Sequence, residues 1–476
     1  MFELWYSNRL EELVDVLALM MVDGREAWYA HRFERPADLL AEIAEIDSLA
    51  ARRDPFETEH LVVPNWNIKR HLQLELARRI GVVANLEFHR IRRFLAESLP
   101  DEEAGEGGGR RILDRDLLEY GLFDLLGEES LLEEPALAPV REYLRVDELQ
   151  EGSEARIRRR HQLAARLSKL FVDYAFNRAE MLEGWREGPV LPDAEPAVAE
   201  RYHEVERWQR RLWLELTGGG GYFERVGDAE EQYRTLPQAV AEVDEGALEA
   251  PGRVHVFGVS YVASVYGRIL HRLSEETEVY FYCLNPCAEY WEDLRTGRRD
   301  EEEYQLSSAA VGFGDLGRDE DEFWVPEKEN APLRLWGRPG RDHVRLLNGL
   351  VEGQSHDAFR PPTSESPTLL EHIQEDVYRR RPEAIEHVRD TRGQQSLDAV
   401  QARQREERPR LEADESVEFL PCTGVEREVE VVANRIWSLV RGGDEEGGEP
   451  LDFNEVAVVV NQQQKDEYIP QIESVF

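Results

Sequence analysis

The chain has 476 residues, and its 41% hydrophobic content is enough for the cores of roughly two to four domains, which excludes an intrinsically disordered protein. No apolar run approaches the roughly 18 residues of a membrane span, and the amino-terminal segment lacks the basic start and small-residue cleavage site of a signal peptide. These features predict a cytoplasmic protein with no membrane partner. The net charge of −40 disfavours nucleic acid as a partner, because phosphates repel an acidic surface.

The types of charged residue leave a second interpretation of this acidity open. Nearly all basic residues are arginine, and the lysines are Lys69, Lys169, Lys328 and Lys465. A surface rich in Asp and Glu and poor in Lys is also typical of a protein that works in very high salt, where charges are screened within a few ångström. We favour this high-salt interpretation, under which local arginine clusters indicate partners better than the net charge does.

The first predicted strand, over residues 2–6, runs through Ser7, Asn8 and Arg9 into an amphipathic helix. A nucleotide-binding α/β protein carries its phosphate loop at this position. Such a loop needs glycines for close backbone approach, a lysine for the phosphates and a Ser or Thr for the metal. The segment has neither the glycines nor the lysine, so it predicts the frame of a nucleotide site without its phosphate-binding loop.

Strand and helix patterns alternate after a charge-rich and Ala-rich insertion over residues 22–57. A strand over 59–66 is followed by a helix over 67–81 and a short strand over 82–88. Asn67 suits the N-cap of this helix, and Gly81 is placed to end it. This alternation predicts a parallel sheet.

A flexible break at residues 102–109 precedes a region, 110–216, that is almost wholly helical in pattern and includes a helix over 156–178. Four glycines at 218–221 are predicted to be a linker, because no strand precedes them and no lysine follows them. Strand and helix patterns then return. The predicted elements are strands over 253–260, 278–286 and 453–461, a helix over 261–276, loops over 295–330 and 351–368, and a strand–helix unit over 417–440.

Few side chains point to catalysis or metal binding. Cys283 and Cys287 have C-x3-C spacing, but no second pair completes a metal site, so these two and Cys422 are predicted to be ordinary thiols. His255 lies on a predicted buried strand and is expected to be a core histidine with satisfied hydrogen bonds. Acidic residues are so frequent that pairs of them do not indicate a hydrolase. No catalytic residue and no metal ligand is therefore assigned.

Several short strings occur in an order that resembles a known family. They are YSNRLEEL, IGVVANLEF, VFGVS, YFYCLNPCAEYWEDL, LRLWGRPGRDHVRLL, LLEHIQEDV and EREVEVVANRI. Together they are similar to the N-terminal part of RecC, the gamma subunit of exodeoxyribonuclease V, and LNPCAEYW is the most specific of them. The resemblance covers most of the chain and is weakest over 22–57 and 295–330.

The resemblance implies an α/β fold with superfamily 1 helicase-like (P-loop-type) domains, degenerate ATPase motifs and a helical insertion. The expected domains are the first part of one α/β domain over 1–109, a mainly helical inserted domain over 110–250, a return to the first α/β domain with connecting loops and helices over 251–410, and the truncated start of a second α/β domain over 411–476.

Two positions favour the loss of ATPase function. Ser7, Asn8 and Arg9 replace the phosphate loop. The strand that ends at Phe257 and Gly258 would carry the Asp/Glu pair that holds magnesium in a working ATPase, and it has no carboxylate. We therefore expect no cofactor in this chain, with ATP and magnesium used by partner subunits.

The resemblance further implies RecB-like and RecD-like motor subunits as partners, with double-stranded DNA ends and single-stranded DNA as ligands. Chains of this family guide the split strands and scan the 3′-ended strand for the recombination hotspot sequence Chi. Mapped onto this sequence, the scanning residues are Pro64, Trp66, Arg70, Arg90, Leu170, Asp173 and Arg178.

Each of these residues also has a structural explanation. An exposed Trp66 can stack on a base, whereas a buried one packs in a core, and Arg70 can contact DNA or lie on a solvated helix face. Pro64, Trp66 and Arg70 replace polar amides of better-known members, which leaves the scanned sequence open. Further candidate phosphate or partner contacts are a cluster of Lys69, Arg70, Arg78, Arg79, Arg90, Arg92 and Arg93 and a run of Arg156, Arg158, Arg159 and Arg160.

The resemblance, together with the missing ATPase motifs, therefore implies a non-catalytic, DNA-guiding subunit of a helicase–nuclease complex for double-strand break repair by homologous recombination. Two alternatives stay open. One is a protein–protein scaffold without DNA contact, and the other is an active nucleotide-dependent helicase-like enzyme. Binding of single-stranded DNA in multimolar KCl and ATP turnover by the isolated chain separate the three.

Overall fold

The structure is a computed structural model that describes residues 1–22, 36–46, 56, 58–100, 110–190, 196–227, 232–244, 247–260, 264–294, 330–351, 355–364, 366–381, 414, 416–441 and 451–476. These residues form two compact units. The first contains the described residues up to 362 together with 375–381, and the second contains those in 363–374 and 414–476. Among the helices in these ranges, none is both long and apolar enough to cross a membrane.

A six-stranded sheet forms the centre of the first unit, and every neighbouring pair of its strands is parallel. In chain order, the strands of the sheet and of a separate two-stranded pair are β1 Phe2–Ser7, β2 Glu59–Val62, β3 Leu86–His89, β4 Arg110–Ile112, β5 Gln232–Arg234, β6 Arg253–Phe257, β7 Glu278–Leu284 and β8 Ser355–Asp357. The sheet order is β3-β2-β6-β7-β1-β8, and β4 and β5 pair separately. The α/β fold with a parallel sheet is confirmed.

Apolar side chains alternate between the two faces of the sheet, and helices cover both faces. One face, with Trp5 and Phe257, forms a core with three helices. These are α1 Leu10–Met21, α2 Pro36–Ile46 and α3 Trp66–Ile80. The other face, with Leu4 and Phe281, belongs to a larger core that continues into the helical region. Because β1 is covered on both sides, all six of its residues are buried.

The helical region confirms the helical pattern predicted from the sequence. Its helices are α4 Ile91–Glu97, α5 Arg115–Leu125, α6 Glu129–Leu132, α7 Ala138–Leu144, α8 Glu154–Asn177, α9 Ala179–Gly184, α10 Pro196–Thr217, α11 Tyr222–Val226 and α12 Leu236–Glu242. The long helix α8 buries Leu167 and Phe171 in the common core. The later helices of the first unit are α13 Ser264–Leu273, α14 Ala331–Trp336 and α15 Arg338–Asn348.

Helix α3 begins earlier than predicted. Asn65, not Asn67, is its N-cap, and the Asn65 side chain accepts a hydrogen bond from the N–H of Ile68. The helix therefore starts at Trp66 and places that side chain in its first turn. Gly81 ends the helix with a φ of 90°, a backbone conformation that favours glycine.

Three predictions about strands need correction. The loop predicted over 351–368 contains β8, a short edge strand held by pairing with β1. In the second unit, the strand predicted over 453–461 is wrong, because Phe453–Glu455 forms a 3₁₀ turn and 456–460 is not paired. The strand expected before the helix of 417–440 is absent from the described residues 416–424 as well.

The second unit is helical in its described part. Helix α16 Leu369–Tyr378 begins in it, and α17 Val425–Val440 packs against α18 Lys465–Val475. Residues 456–460 line a groove together with Val429 and Ile472 of these two helices. Val458 and Val459 remain exposed, so the apolar run that predicts a buried strand is neither paired nor buried in the described part of this unit.

Candidate nucleic-acid interface

The carboxyl ends of the parallel strands meet at one edge of the sheet, which is where open α/β sheets bind ligands. At this edge β1 ends at Ser7, β6 at Phe257, β2 at Val62 and β3 at His89. The residues predicted to be a degenerate nucleotide site follow β1 and β6, and the first predicted scanning stretch follows β2 and β3. The fold thus brings both predicted groups of residues to the same edge.

The polar groups that follow β1 are used by the chain itself. The hydroxyl of Ser7, the amide of Asn8 and the guanidinium of Arg9 each donate a hydrogen bond to a backbone carbonyl. The accepting carbonyls belong to Ala358 (2.8 Å), Arg360 (2.8 Å) and Pro361 (3.5 Å), respectively. The segment after β8 therefore lies against the turn at which a phosphate loop would hold its phosphates.

The end of β6 is filled by apolar contacts. Phe257 is buried and its ring lies 5.5 Å from that of Tyr282. Gly258 has a φ of 68°, and a Cβ at this position would lie 3.3 Å from Cγ2 of Ile68 on α3. This close approach and the positive φ both explain the glycine. A carboxylate that could hold magnesium is absent from this strand end.

The turn after β7 explains the most specific string of the sequence, LNPCAEYW. Asn285 is buried beside β1, and its N–H donates to the carbonyl of Ser7 at 2.8 Å. Its side-chain oxygen accepts hydrogen bonds from the N–H of Cys287 (3.2 Å) and from the indole N–H of Trp291 (3.1 Å). One amide thus satisfies two buried donors and fixes this turn against the β1 end.

Trp66 lies on the surface, so the core-packing alternative is wrong. Its side chain is 70% exposed. The ammonium of Lys69 lies 4.6 Å from the centre of the Trp66 ring and 5.1 Å from that of Phe88. Half-buried Pro64 precedes this turn, and its carbonyl accepts a hydrogen bond from the guanidinium of Arg90. Trp66 is therefore an exposed aromatic surface with cations beside it.

The basic cluster divides into paired and unpaired cations. Arg78 and Arg79 form ion pairs with Glu75, and Arg79 also pairs with Asp15. Burial raises the pKa of Glu75, but hydrogen bonding to Arg79 leaves that pKa below its ordinary value. Arg93 pairs with Glu97 at 2.6 Å. Within the described ranges, the cations without a carboxylate partner in this cluster are Lys69, Arg70 and Arg90.

The second predicted stretch lies on α8 and is connected to the first through Arg92. The guanidinium of Arg92 lies 3.7 Å from the carboxylate of Asp173, donates to the hydroxyl of Tyr266 at 2.6 Å, and stacks over the ring of Phe176. Of the other two residues, Leu170 is half-buried against the core and Arg178 is exposed at the end of α8. Asp173 is therefore an ion-pair partner of α4, and Arg178 is an accessible cation.

The arginine run at the start of α8 is used within the helical region. Arg156 and Arg158 pair with Glu129 and Glu154, respectively. Arg159 donates to the carbonyl of Tyr143, and Arg160 lies 3.9 Å over the ring of Phe123. These contacts favour a packing role over the phosphate or partner contacts that the sequence indicates.

The predicted core histidine is confirmed. His255 is fully buried, its Nδ1 lies 2.9 Å from the hydroxyl of Tyr282, and its Nε2 lies 3.3 Å from a carboxylate oxygen of Glu59. Burial lowers the pKa of His255, although Glu59 acts in the opposite direction. Cys283 and Cys287 are also buried, and burial raises the pKa of their thiols to about 12 and about 11.

Two arrangements were not predicted from the sequence. Arg92 was assigned only to a basic cluster, and its contacts with α8 depend on tertiary packing. His60, Glu87 and His89 also come together on neighbouring strands. Glu87 and His89 are two residues apart and therefore lie on one face of β3. That His60 lies beside them depends on the strand order, which is known only from the fold.

Comparisons with known proteins agree on one family. The family model described as RecC, N-terminal domain matches residues 28–380. The chain is 27% identical over 447 residues to the RecBCD enzyme subunit RecC of Escherichia coli K12, which covers 89% of this chain and 36% of that protein. The RecC subunit of Haemophilus influenzae is 24% identical over 413 residues (79% and 33%), and that of Mycolicibacterium smegmatis 26% over 407 residues (84% and 30%). The chain thus spans about a third of the length of these relatives.

Proposed function

This chain belongs to the RecC family, and on that premise we propose that it is a non-catalytic, DNA-guiding subunit of a RecBCD-type complex for the repair of double-strand breaks. Its relatives are named as RecC subunits of the RecBCD enzyme. The proposed partners are RecB-like and RecD-like motor subunits, which would use ATP and magnesium, and the proposed ligands are double-stranded DNA ends and single-stranded DNA.

The proposed DNA contact is the surface formed by Trp66, Lys69, Arg70 and Arg90, here called the Trp66 surface. An exposed tryptophan is a platform for an unpaired base and contributes about 1–3 kcal/mol by stacking. The neighbouring cations have no carboxylate partner in the described part of the chain, so they remain able to contact phosphates. The exposure of Trp66 is the observation that carries the proposal.

The same edge of the sheet supports the proposal that the fold is that of a helicase-like domain without ATP chemistry. Nucleotide binding at the end of β1 would require phosphates to replace the backbone carbonyls of Ala358 and Arg360 as partners of Ser7 and Asn8. It would also require a magnesium ligand at the end of β6, where Phe257 and Gly258 provide none. We therefore assign this edge to strand guidance.

Chi scanning is the finer part of the proposal. Arg92 on α4 contacts Asp173 and Phe176 on α8. These contacts would hold the two predicted scanning stretches at a fixed distance from each other. Within the second stretch, exposed Arg178 is the residue able to reach a strand. Asp173 would act by holding Arg92 and not by contacting a base.

The test is binding of a fluorescently labelled oligothymidine to the 476-residue chain in multimolar KCl, followed by anisotropy. High salt removes most of the phosphate contribution, so that stacking dominates the affinity. Trp66→Ala is expected to weaken binding about 5-fold to 150-fold, which corresponds to the stacking energy. The matched control is Trp336→Ala, because Trp336 is 77% exposed at the end of α14.

The outcomes separate the proposal from its alternatives. Equal losses from both tryptophan variants would overturn the assignment of the DNA contact to the Trp66 surface. Folded protein that does not bind the oligonucleotide would favour a scaffold without DNA contact. ATP turnover by the isolated chain that is lost on substitution of Asn8 would favour an active helicase-like enzyme.

A further inference from the structure

Three potential metal ligands converge on one face of the sheet, at its β2–β3 edge. His60 lies directly opposite Glu87 in the parallel register, and His89 follows Glu87 by two residues. Residues two apart on a strand point to the same face, so all three side chains share it. The ring planes of His60 and His89 are 16° apart with centroids separated by 5.4 Å, which limits the orientations that they adopt.

The donor atoms have the spacing of a tetrahedral metal site. Nδ1 of His60 lies 3.2 Å from Nε2 of His89, and Oε2 of Glu87 lies 3.6 Å from the first atom and 3.7 Å from the second. Zinc binds imidazole nitrogen and carboxylate oxygen at about 2.0–2.2 Å, which places ligand atoms about 3.3–3.5 Å apart around a tetrahedron. A single ion can therefore contact all three atoms after shifts of a few tenths of an ångström.

The surroundings provide the support that metal-binding histidines require. The second ring nitrogen of His89, Nδ1, lies 3.5 Å from a carboxylate oxygen of Glu97 on α4. A carboxylate on the far nitrogen of a ligating histidine fixes its tautomer and orientation.

We propose that His60, Glu87 and His89 form a binding site for a divalent transition metal, with Zn²⁺ as the best match, that leaves one coordination position open. Two imidazoles and one carboxylate are a donor set of zinc sites, whereas Mg²⁺ and Ca²⁺ prefer oxygen ligands. Glu87 is exposed, so the open position is reached from solvent. The site adds a metal-binding property to the chain and does not depend on the proposed DNA contact.

A bound ion would fix the edge strand β3 to β2. The carbonyl of His89 accepts a hydrogen bond from the N–H of Val63 at 3.0 Å, and the next residue, Arg90, donates to Pro64. The site is thus next to the turn between β2 and α3 that carries Trp66. Since metal binds the folded chain in preference to the unfolded one, Zn²⁺ is expected to raise the thermal unfolding temperature.

The experiment uses the full chain without an affinity tag, stripped with a chelator and dialysed into KCl buffer near pH 7.5. Zn²⁺ is titrated in competition with a chromogenic chelator, and Co²⁺ is titrated while the visible absorption of its tetrahedral complex is recorded. One equivalent of each metal is expected to bind. Glu97→Gln, which changes the carboxylate beside Nδ1 of His89, is expected to lower the metal affinity by about 10- to 100-fold. Glu87→Gln and His89→Gln, which change a ligand itself, are expected to lower it by more.

The control is His161→Ala, because His161 forms an exposed pair with Glu119 that resembles a two-ligand surface site. This variant is expected to keep the stoichiometry and affinity of the original chain. Glu87→Gln changes an exposed side chain, so circular dichroism is expected to show an intact fold. The proposal is overturned if the unchanged chain does not bind one equivalent of Zn²⁺ tightly. It is also overturned if Glu87→Gln and His89→Gln leave Zn²⁺ binding unchanged, or if His161→Ala abolishes it.

Discussion

The side chain of Asn8 exchanges two hydrogen bonds with the backbone of Arg360. Its amide donates to the Arg360 carbonyl at 2.8 Å, and its oxygen accepts from the Arg360 N–H at 2.9 Å. The guanidinium of Arg360 in turn pairs with Glu12 on α1 at 2.6 Å. Asn8, which the sequence predicts to lie at a degenerate phosphate loop, is thus part of the packing between β1, α1 and the segment after β8.

We predict that Asn8→Ala lowers the free energy of unfolding by about 1–3 kcal/mol. Two backbone groups of Arg360 lose their partner in a half-buried environment, and each net hydrogen bond contributes about 0.5–1.5 kcal/mol. Denaturant unfolding in constant KCl measures the change. Asn67→Ala, at an exposed asparagine on α3, is the control and is expected to change stability by less than about 0.5 kcal/mol. A stable Asn8→Ala protein that gains ATP binding would contradict the structural role.

A second prediction concerns the contact between α4 and α8. Arg92→Ala is expected to cost more stability than Asp173→Ala, because Arg92 also stacks on Phe176 and donates to Tyr266. The Arg92–Asp173 pair itself is solvent-exposed, so its coupling energy is expected to be about 0.2–1 kcal/mol and to decrease with salt. A double-mutant cycle in denaturant measures this coupling.

The comparison pair is Arg93 with Glu97, in which both partners lie on α4. Variants at both pairs are also measured for oligonucleotide affinity. Loss of affinity at the Arg92 pair, but not at the Arg93 pair, is expected if the position of α8 matters for DNA. Equal effects would indicate that only surface charge matters.

Much of the secondary structure of the first unit can be predicted from the pattern of apolar residues. Both faces of its sheet are covered by helices, so its central strands are apolar runs. The strands around Leu61, Val256 and Phe281 have continuous apolar runs, and the sequence predicts them close to their observed bounds. β8 was missed, because three polar residues become a strand only through pairing with β1. Residues 456–460 have the composition of a central strand, yet they are unpaired and Val459 is 92% exposed. An apolar run becomes a buried strand only where neighbouring strands and helices cover it.

The candidate site was predicted in part for a similar reason. Trp66 and Arg70 were identified through the resemblance, and their exposure could not be known before α3 was placed. The pairing of Arg79 with Glu75, four residues earlier on α3, is local, whereas its second partner, Asp15, is distant in sequence and is known only from the fold. The grouping of His60 with His89 depends on the register of β2 and β3. A site formed by residues of two strands can be predicted only when the order and register of those strands in the sheet are known.

A third prediction concerns pH. His343 is 2% exposed, and burial lowers its pKa to about 4. The unfolded chain, with a histidine pKa near 6.5, therefore binds a proton at pH 5 that the folded chain does not. Stability contributed by neutral His343 is present above about pH 6.5 and decreases as pH falls toward about 4.

Between pH 6.5 and 5 this contribution is expected to decrease by about 2 kcal/mol, as judged by denaturant unfolding at each pH. His343→Gln is expected to remove that part of the pH dependence while it lowers stability at pH 7. His271→Gln, at an exposed histidine, is the control and is expected to keep the original slope. An unchanged slope in His343→Gln would mean that other groups cause the acid sensitivity.

The last prediction uses two arginines on α3. Arg70 has no carboxylate partner in the described part of the chain, whereas Arg78, 72% exposed, is paired with Glu75 at 2.6 Å. If the Trp66 surface binds DNA, Arg70→Gln removes a phosphate contact and Arg78→Gln does not. The slope of log affinity against log KCl for single-stranded DNA is therefore expected to decrease by about 0.7 in Arg70→Gln and to stay unchanged in Arg78→Gln. Both variants remove one positive charge from the same exposed helix, so a slope that decreases equally in both would indicate a general charge effect and would contradict a local contact at Arg70.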